Sequence, residues 1–272
     1  MNQPMHINEQ HAANAFTQQS KTFDNLYQDN TIIQYKRQRV WQHIQPLLKP
    51  NSYILELNSG TGEDAIWLAK QGHFVHATDL SSGMLEVLKQ KVVLAGQQER
   101  VTSQMVSFTQ LGMLAPCKPY DMVFSNFAGL NCTGDLDKVL QSLSGLVKSG
   151  GYVTLVLLPR FCLWEFLLLF KGKFKTACRR LISRNGATVH IDGNYFKCWY
   201  YNPSFIIKQL KKDFDLRYLE GLCTIVPPSY IDHFAEKHPV VYQFLKNKEG
   251  ILKNKWPWKY IGDYYIISFK KR

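Results

Sequence analysis

Cysteines at metal-binding spacing are lacking from this sequence of 272 residues. The six cysteines are Cys117, Cys132, Cys162, Cys178, Cys198 and Cys223. Because no two of them form a Cys-x-x-Cys motif, the sequence argues against a zinc or thioredoxin-like site and fits a reducing compartment. A set of ligands suited to a metal ion is lacking too, so we expect no metal.

Long apolar runs are also lacking. No stretch reaches the roughly 20 apolar residues that span a bilayer, and the first ten residues have no charged-then-apolar pattern of a signal peptide. These absences predict a cytoplasmic protein. Any association with a membrane would then be contact with its surface.

Acidic residues are fewer than basic ones. The sequence has 33 Lys and Arg against 21 Asp and Glu, a formal net charge of +12. This excess is compatible with nucleic acid, an acidic carrier protein, a phosphate-bearing substrate or an anionic membrane surface, and it selects none of them. A hydrophobic content of 45% indicates a globular chain, long enough for one domain with insertions or a domain with a cap.

The most informative stretch covers residues 53–70. Residues 53–57 form a short apolar run typical of a buried parallel strand. Residues 58–62 include Gly60 and Gly62, and a helical pattern with acids in its first turn follows. A strand, a glycine-containing turn and a helix N-terminus together let the backbone approach a ligand closely.

A second predicted strand, residues 73–79, ends in an acid. Asp79 lies 17 residues beyond Gly62, about the spacing at which a carboxylate binds the two hydroxyls of a ribose. The unit is therefore predicted to bind an adenosine.

These residues resemble the first motif of the class I S-adenosylmethionine-dependent methyltransferases, an acid followed by three residues and Gly-x-Gly. Glu56 supplies the acid and Gly60 and Gly62 the glycines. Asn58 stands where the family usually has a further glycine, and Asn tolerates positive φ better than most residues. The alternative is a dinucleotide-binding dehydrogenase, but Asn58 and Glu63 would occupy two of its three glycine positions, and Glu63 would oppose a pyrophosphate.

The resemblance implies a fold as well as a motif. Strand and helix patterns alternate over residues 51–158, which is typical of a doubly wound α/β sheet. We expect a seven-stranded, mostly parallel, Rossmann-like methyltransferase fold. Residues 1–50 would form a helical N-terminal cap, and residues 51–272 the methyltransferase domain with insertions at about 160–201 and 228–260.

The resemblance also implies S-adenosyl-L-methionine as the cofactor. Glu56 would face its ammonium group and Arg37 its carboxylate. Ser107 stands where the family usually has an Asp that holds the adenine amino group, and Phe108 would pack on the ring. The full set of predicted cofactor-binding residues is Phe23, Arg37, Glu56, Asn58, Gly60, Gly62, Asp79, Leu80, Met84, Ser107, Phe108, Asn126 and Phe127.

The loop after the fourth predicted strand, residues 126–132, bears on the acceptor. Enzymes that methylate nucleobase amino groups carry Asn/Asp-Pro-Pro-aromatic here, and this chain does not, which disfavours nucleic acid. Together with Cys-Leu-Trp-Glu at residues 162–165, the loop resembles bacterial methyltransferases of natural-product or lipid-like biosynthesis. A small-molecule, lipophilic or carrier-bound acceptor with an oxygen or carbon nucleophile is expected. The predicted substrate residues are Asn131, Trp164, Glu165 and Tyr200.

The insertion at residues 160–201 begins with an apolar run at 161–170 and continues with a basic run at 171–184. This order fits a lid over a lipophilic or anionic ligand, or a segment that rests on a membrane surface, and equally a packed insertion with a solvated basic face. Glu165 would be paired with Arg160 or another cation, or would act as a general base.

No catalytic residue follows from the sequence, because each available base also has an ordinary structural role. The bases considered are His190, Glu165, His233, Tyr195 and Tyr200. Three function classes stay open: a small-molecule methyltransferase, a nucleic-acid methyltransferase and a non-catalytic adenosyl-binding module. The oligomeric state is not predicted.

Overall fold

The computed structural model describes residues 7–114, 118–172, 174–231 and 233–272. Residues 1–6 of the predicted cap, Cys117, and Lys173 of the basic run lie outside the described residues. Within those ranges, no helix combines the length and the hydropathy needed to cross a bilayer. The same ranges contain no group of three or more His, Cys, Asp or Glu side chains that could hold a metal ion.

Seven strands of the described chain form one sheet in the order β3-β2-β1-β4-β5-β9-β8. The pairs from β3 to β5 are parallel, and β9 is antiparallel to both of its neighbours. A separate antiparallel hairpin contains β6 and β7. The predicted seven-stranded, mostly parallel sheet is confirmed. The strands are β1 Tyr53–Leu57, β2 Phe74–Asp79, β3 Val101–Met105, β4 Tyr120–Ser125, β5 Val147–Leu157, β6 Ala187–Ile191, β7 Asn194–Cys198, β8 Phe214–Leu222 and β9 Tyr264–Lys271.

Helices cover both faces of this sheet. Within residues 1–50, predicted to form a helical cap, the described part contains α1 and α2, followed by a 3-10 segment and a turn over residues 45–50. The helices are α1 Ile7–Tyr27, α2 Thr31–Ile44, α3 Glu63–Lys70, α4 Ser82–Leu94, α5 Leu136–Leu146, α6 Leu163–Leu167, α7 Phe174–Ile182, α8 Pro203–Leu210, α9 Phe234–Lys237 and α10 Pro239–Leu252. Short 3-10 segments lie at Gln45–Leu47, Phe108–Met113, Gly129–Cys132, Leu168–Lys171 and Trp258–Tyr260.

Two apolar clusters hold the layers together. On one face, α2, α3 and α4 pack on the sheet through residues such as Val40, Leu68 and Leu88. On the other face, α5 and α8 pack through residues such as Leu140 and Ile206. Each such side chain contributes about 1.5–3 kcal/mol by leaving water. The carboxyl ends of β1, β2 and β4 therefore meet at one edge of a firmly packed sheet.

Two strands end earlier than the sequence pattern predicts. The sequence pattern predicts strands over residues 101–107 and 215–226. The second of these, β8, stops at Leu222, because Cys223 has a φ of 51° and the N–H groups of residues 223–226 donate to the buried carboxylate of Glu249. The third strand stops at Met105, because the hydroxyl of Ser107 caps the following 3-10 segment.

The insertion after β5 differs from its prediction in two ways. The apolar run at 161–170, predicted as one apolar helix that is buried or touches lipid or an oily ligand, divides into the short α6 and a 3-10 segment, and its Phe170 is 84% exposed. The β6–β7 hairpin was not predicted at all. Its turn, Asp192-Gly193, has positive φ at both residues, and Asp-Gly between apolar alternations is the sequence signal that indicates such a hairpin.

Candidate functional site

The turn between β1 and α3 adopts the left-handed conformation at three positions. Asn58, Gly60 and Gly62 have φ values of 49°, 55° and 83°. Asn58 replaces a glycine at little cost because its amide is fully used: it accepts from Ser125 Oγ at 2.6 Å and donates to the Asn126 carbonyl at 3.0 Å. The substitution therefore ties the turn to the loop after β4.

Asp79 lies at the end of β2 and faces the same turn. One carboxylate oxygen accepts from the Gly60 N–H at 2.9 Å and the other from the Ser81 N–H at 2.8 Å. Burial raises the pKa of Asp79, and these backbone N–H groups oppose the rise. The carboxylate is thus held in one orientation at the edge of the cavity.

Glu56, on β1, is 2% exposed, and in the part of the chain that the structure describes its Oε2 atom has no hydrogen-bond partner. Burial, reinforced by the charge of Asp64, raises its pKa well above the usual range, while Arg37 partly opposes this. A buried carboxylate oxygen without a donor is uncommon in a native fold. An ammonium group of a ligand would complete it, so the residue present here fits S-adenosylmethionine.

Asp64, in the first turn of α3, connects the predicted residues at this end of the site. It accepts from Arg37 at 3.0 Å, from the Trp41 indole at 2.7 Å and from the Asn126 amide at 2.8 Å. The Arg37 guanidinium also lies 4.8 Å from the ring centre of Phe127. The sequence analysis did not single out Asp64, because acids in a first helical turn are usually explained by the helix dipole.

A cavity of about 150 Å³ lies between this edge of the sheet and α1. Most of the predicted cofactor residues line it, and Arg37, Glu56, Gly62 and Ser107 lie around it. Its volume is below the roughly 300–1,000 Å³ of ordinary ligand pockets, so α1 closes over much of the space. The lining residues are Glu9, Ala12, Ala13, Phe16, Phe23, Asn58, Gly60, Asp79, Leu80, Met84, Val106, Phe108, Asn126, Phe127, Gly129 and Cys132.

Helix α1 is held over the cavity by several side-chain hydrogen bonds. Thr17 and Ser81 share a hydrogen bond of 2.8 Å between their hydroxyls, and the Thr61 hydroxyl donates to Asp24 at 2.6 Å. Close approach to α4 requires Gly83, whose added Cβ would lie 2.7 Å from Ser20 Oγ. These contacts place the apolar face of α1 against the site.

Glu9 is the lining residue that the sequence analysis missed most clearly. Its side chain is 2% exposed and accepts from three hydroxyls: Ser107 at 2.5 Å, Thr109 at 2.8 Å and Thr133 at 2.9 Å. No local pattern indicates it, because only tertiary packing brings an acid near the start of α1 to the loop after β3.

Asn131 does not occupy the predicted substrate position. It is fully buried, its amide donates to the carbonyls of Leu158 and Trp199, and its oxygen accepts from the Leu158 N–H. Because its hydrogen-bonding groups are used to fix the backbone, we correct its role to a structural one.

Glu165 is paired with cations, but Arg160 is not among the partners found. Glu165 lies 2.7 Å from Arg179 and 2.8 Å from Arg180, whereas Arg160 donates to the Leu181 carbonyl. Arg180 also forms an ion pair with Asp263 at 2.7 Å. The ion-pair interpretation of Glu165 therefore holds.

The ion pairs that begin at Glu165 continue through Asp263 to Lys36, on the cofactor side of the site. Lys36 lies 3.7 Å from Asp263 and 4.6 Å from the ring centre of Tyr264, and Tyr264 packs edge-on against Phe127. Tyr200 lies under the Arg180 guanidinium. Among the described residues of this region, three buried atoms have no hydrogen-bond partner: Trp164 Nε1, Glu165 Oε2 and Arg180 Nε.

The other bases considered lie apart from the cavity. His190 stacks on Tyr195 in the hairpin, where Tyr195 is 62% exposed, and His233 is exposed in front of α9. Neither of these histidines is among the described residues that line the cavity. The structure thus leaves the catalytic base unassigned.

Comparison with known proteins agrees with this geometry. Residues 54–151 match the family model described as Methyltransferase domain. Over 130 residues, the chain is 32% identical to the demethylmenaquinone methyltransferase of Corynebacterium glutamicum (strain R), which covers 46% of this chain and 51% of that protein. The chain spans about half the length of the curated relatives it matches.

Solved structures share the fold at low identity. Magnesium protoporphyrin IX methyltransferase (ChlM) from Synechocystis PCC 6803, with bound SAH, has a TM-score of 0.59 and 14% identity over 97% of this chain and 100% of that chain. The cyclase SpnF has a TM-score of 0.63 and 13% identity over 98% of this chain and 97% of that chain. At such identities the likeness establishes the fold, and the chemistry must be argued from the site.

Proposed function

We propose that the chain, whose residues 54–151 match a methyltransferase domain, is a class I S-adenosylmethionine-dependent methyltransferase that transfers a methyl group from S-adenosylmethionine to a small lipophilic acceptor. The observation that carries the proposal is a cavity lined by Asp79, whose carboxylate is fixed by backbone N–H groups, together with Glu56 on the neighbouring strand β1, whose buried carboxylate has an unpartnered oxygen among the described residues. When bound, the cofactor would supply a methyl carbon activated by a sulfonium.

The chain's own residues would bind and align the reactants. Asp79 would accept hydrogen bonds from the ribose hydroxyls, and Glu56 would face the ammonium group. Helix α1 would exclude water from the cavity. Transfer of this kind depends mainly on alignment, with the acceptor atom about 3–3.5 Å from the methyl carbon.

For the acceptor we propose a lipophilic ring compound with an oxygen or carbon nucleophile. Support comes from relatives named demethylmenaquinone methyltransferase and from the aromatic and charged side chains beyond Phe127. The unpartnered Trp164 Nε1 and Glu165 Oε2 would bind polar groups of that acceptor. The reacting hydroxyl or enol-like carbon of this acceptor would have to lose its proton to a base before or during methyl transfer.

Calorimetry tests the cofactor part of the proposal. Purified protein should bind S-adenosylmethionine and not NAD, and Asp79→Ala should abolish binding while the circular dichroism spectrum stays unchanged. Unchanged affinity in Asp79→Ala would remove the site assignment. Binding of NAD instead would favour the dehydrogenase alternative.

Turnover tests the acceptor part. Demethylmenaquinone with a shortened side chain is the first compound to try, followed by a panel of phenols and enols, with methyl transfer measured by mass spectrometry. Trp164→Ala should reduce acceptor use more than cofactor affinity, and an equal loss of both would contradict the proposed acceptor side. Cofactor binding without turnover on any acceptor would favour an adenosyl-binding module.

We also propose that the protein binds an anionic membrane surface through α6, α7 and the 3-10 segment between them. Phe170, Phe174 and Ile182 are exposed there, and the exposed Arg184 and partly exposed Arg179 give the surface a positive charge. Apolar side chains flanked by cations suit anionic lipid. This surface would admit a lipophilic acceptor from the bilayer.

Vesicle sedimentation tests this partner. The protein should pellet with vesicles containing phosphatidylglycerol and remain in solution with pure phosphatidylcholine vesicles. Phe170→Ser should reduce the pelleted fraction severalfold, whereas Trp256→Ser, which removes an equally exposed apolar side chain elsewhere, should not. Equal behaviour of the two variants would contradict the surface, and retention on an acidic protein column alone would favour a carrier protein.

A further inference from the structure

The order of the strands gives the cavity two chemically different ends. Asn58 and Gly60 after β1 and Asn126 and Phe127 directly after β4 line one end, next to Glu56 on β1, and Asp79 at the end of β2 lies between them and the residues that follow β3. A ligand with its ammonium at Glu56 and its ribose at Asp79 would thus place its base beside β3. The residues available there suit a flat aromatic ring: Leu80, Met84, Val106 and Phe108.

Glu9 lies where the segment after β3 meets the 3-10 segment Gly129–Cys132, because two of its three donors follow β3 and the third, Thr133, follows that 3-10 segment. Ser107, Thr109 and Thr133 donate to its carboxylate, and among the described residues no Lys or Arg pairs with it. An ionised carboxylate has about four acceptor positions, so three hydroxyls leave capacity for another donor. A charge buried without a cation is costly and needs further hydrogen bonds.

We propose that Glu9 accepts a hydrogen bond from the 6-amino group of adenine and selects that base. Ser107 occupies the position where the family resemblance implies an acid, and its hydroxyl donates to Glu9. The acid at the adenine end thus comes from α1 instead of from the loop after β3. This inference rests on the proposed function, because it assumes that the cavity holds an adenosyl group.

The chemistry of the base makes the proposal specific. The 6-amino group of adenine is a donor and matches a carboxylate, whereas hypoxanthine has a carbonyl oxygen at that position, which a carboxylate repels. Loss of one hydrogen bond to a charged group corresponds to roughly 10- to 100-fold in affinity. Wild-type protein should therefore bind S-adenosylhomocysteine roughly 10- to 100-fold more tightly than S-inosylhomocysteine.

The Glu9→Gln variant gives the sharpest test. A glutamine can turn its amide so that its NH₂ group donates to the hypoxanthine oxygen. The preference for adenine should therefore shrink to about threefold or less, or reverse. Glu9→Met, which removes the polar group, should bind both ligands weakly. Glu86→Gln, on the exposed face of α4, is the matched control and should keep the wild-type preference.

Calorimetry with the two ligands decides between the outcomes without any measurement of turnover. Equal affinity of wild-type protein for both, or an undiminished preference in Glu9→Gln, would overturn this inference and leave the proposed function standing. Failure of wild-type protein to bind S-adenosylhomocysteine would overturn both. If Glu9→Gln does not fold, the wild-type comparison still decides the question.

Discussion

Glu56 combines burial with an unpartnered carboxylate oxygen, and this has a consequence for ligand binding. Its raised pKa comes mainly from burial and then from the nearby Asp64. An acid with a raised pKa holds its proton at pH values where an exposed Glu is ionised. A cation placed beside it lowers the pKa again and releases the proton.

Binding of S-adenosylhomocysteine, which carries an ammonium group, is therefore expected to release a proton from Glu56 at pH values between the lowered pKa of Glu56 in the complex and its raised pKa in the unliganded protein. Affinity should rise with pH through this window. Calorimetry in phosphate and in Tris at one pH measures the proton as a difference in apparent enthalpy. Glu56→Gln should bind roughly 10-fold or more weakly and show no such difference, and an unchanged buffer dependence would contradict the assignment.

Glu220 illustrates the opposite shift at a site away from the cavity. Burial alone would raise its pKa, but hydrogen bonds and charges from His43 and Lys253 outweigh burial and lower the pKa to about 2. His43 lies 3.0 Å and Lys253 2.8 Å from the carboxylate. A lowered carboxylate pKa stabilises the fold above the unfolded-state value and loses this effect as pH falls.

The free energy of unfolding should carry this signature. Between an unfolded value near 4.5 and a folded value of about 2, Glu220 contributes about 3 kcal/mol at neutral pH. The difference in free energy of unfolding between wild type and Glu220→Gln, measured with urea, should have its full value above pH 4.5 and should shrink as the pH is lowered towards 2. Asp215→Asn, in an exposed pair with Arg272, should change stability by less than about 1 kcal/mol. A pH-independent difference for Glu220→Gln would contradict the argument.

At the scale of elements, the buried carboxylate of Glu249 connects α10 to the segment that follows β8. Glu249 is fully buried and accepts from the N–H groups of residues 223–226 and from Tyr35, and Arg39 pairs with it. It thereby satisfies the backbone where β8 ends. Removal of such an acceptor leaves several buried donors without partners.

Glu249→Ala is accordingly expected to destabilise the protein by about 3–5 kcal/mol, measured by chemical unfolding. Gln243→Ala changes an exposed side chain of the same helix and should stay within about 0.5 kcal/mol of wild type. A loss below about 1 kcal/mol for Glu249→Ala would show that the segment after β8 does not depend on this carboxylate.

The elements that the sequence predicts well are those with a local cause. The strand, turn and helix around Gly60 and the helix capped by Ser81 follow from apolar periodicity and capping chemistry. Boundaries set by distant partners do not follow. The end of β8 depends on Glu249, 26 residues beyond Cys223, and no pattern within the strand contains that information.

The residues of the site also fall into those with a local sequence signal and those placed by distant packing. Asp79 and Asn58 are predictable because they stand in fixed positions relative to the turn. Glu9 reaches the site only through the packing of α1, and it lies 98 residues from Ser107 in the chain. Asn131 stands in the expected loop, yet the fold uses its side chain to hold two backbone segments.

At the scale of the whole molecule, α1 joins parts of the chain that are far apart in sequence. It contacts α4 through Thr17, and its Asn8 and Phe16 contact the β6–β7 hairpin. A ligand enclosed by α1 therefore interacts with the native state across several elements. An unfolded chain offers no such enclosure, so the ligand should stabilise the fold as a whole.

Thermal unfolding measures this coupling. At a ligand concentration 100 times its Kd, S-adenosylhomocysteine should stabilise the native state by about 2.7 kcal/mol, which corresponds to roughly 5–10 °C for a chain of this size. NAD should produce no shift, and Asp24→Ala, which removes the contact of α1 with Thr61, should reduce the shift because the cover over the cavity is weakened. If Asp24→Ala shows the full shift, enclosure by α1 does not contribute to binding, and the turn around Gly60 must hold the ligand alone.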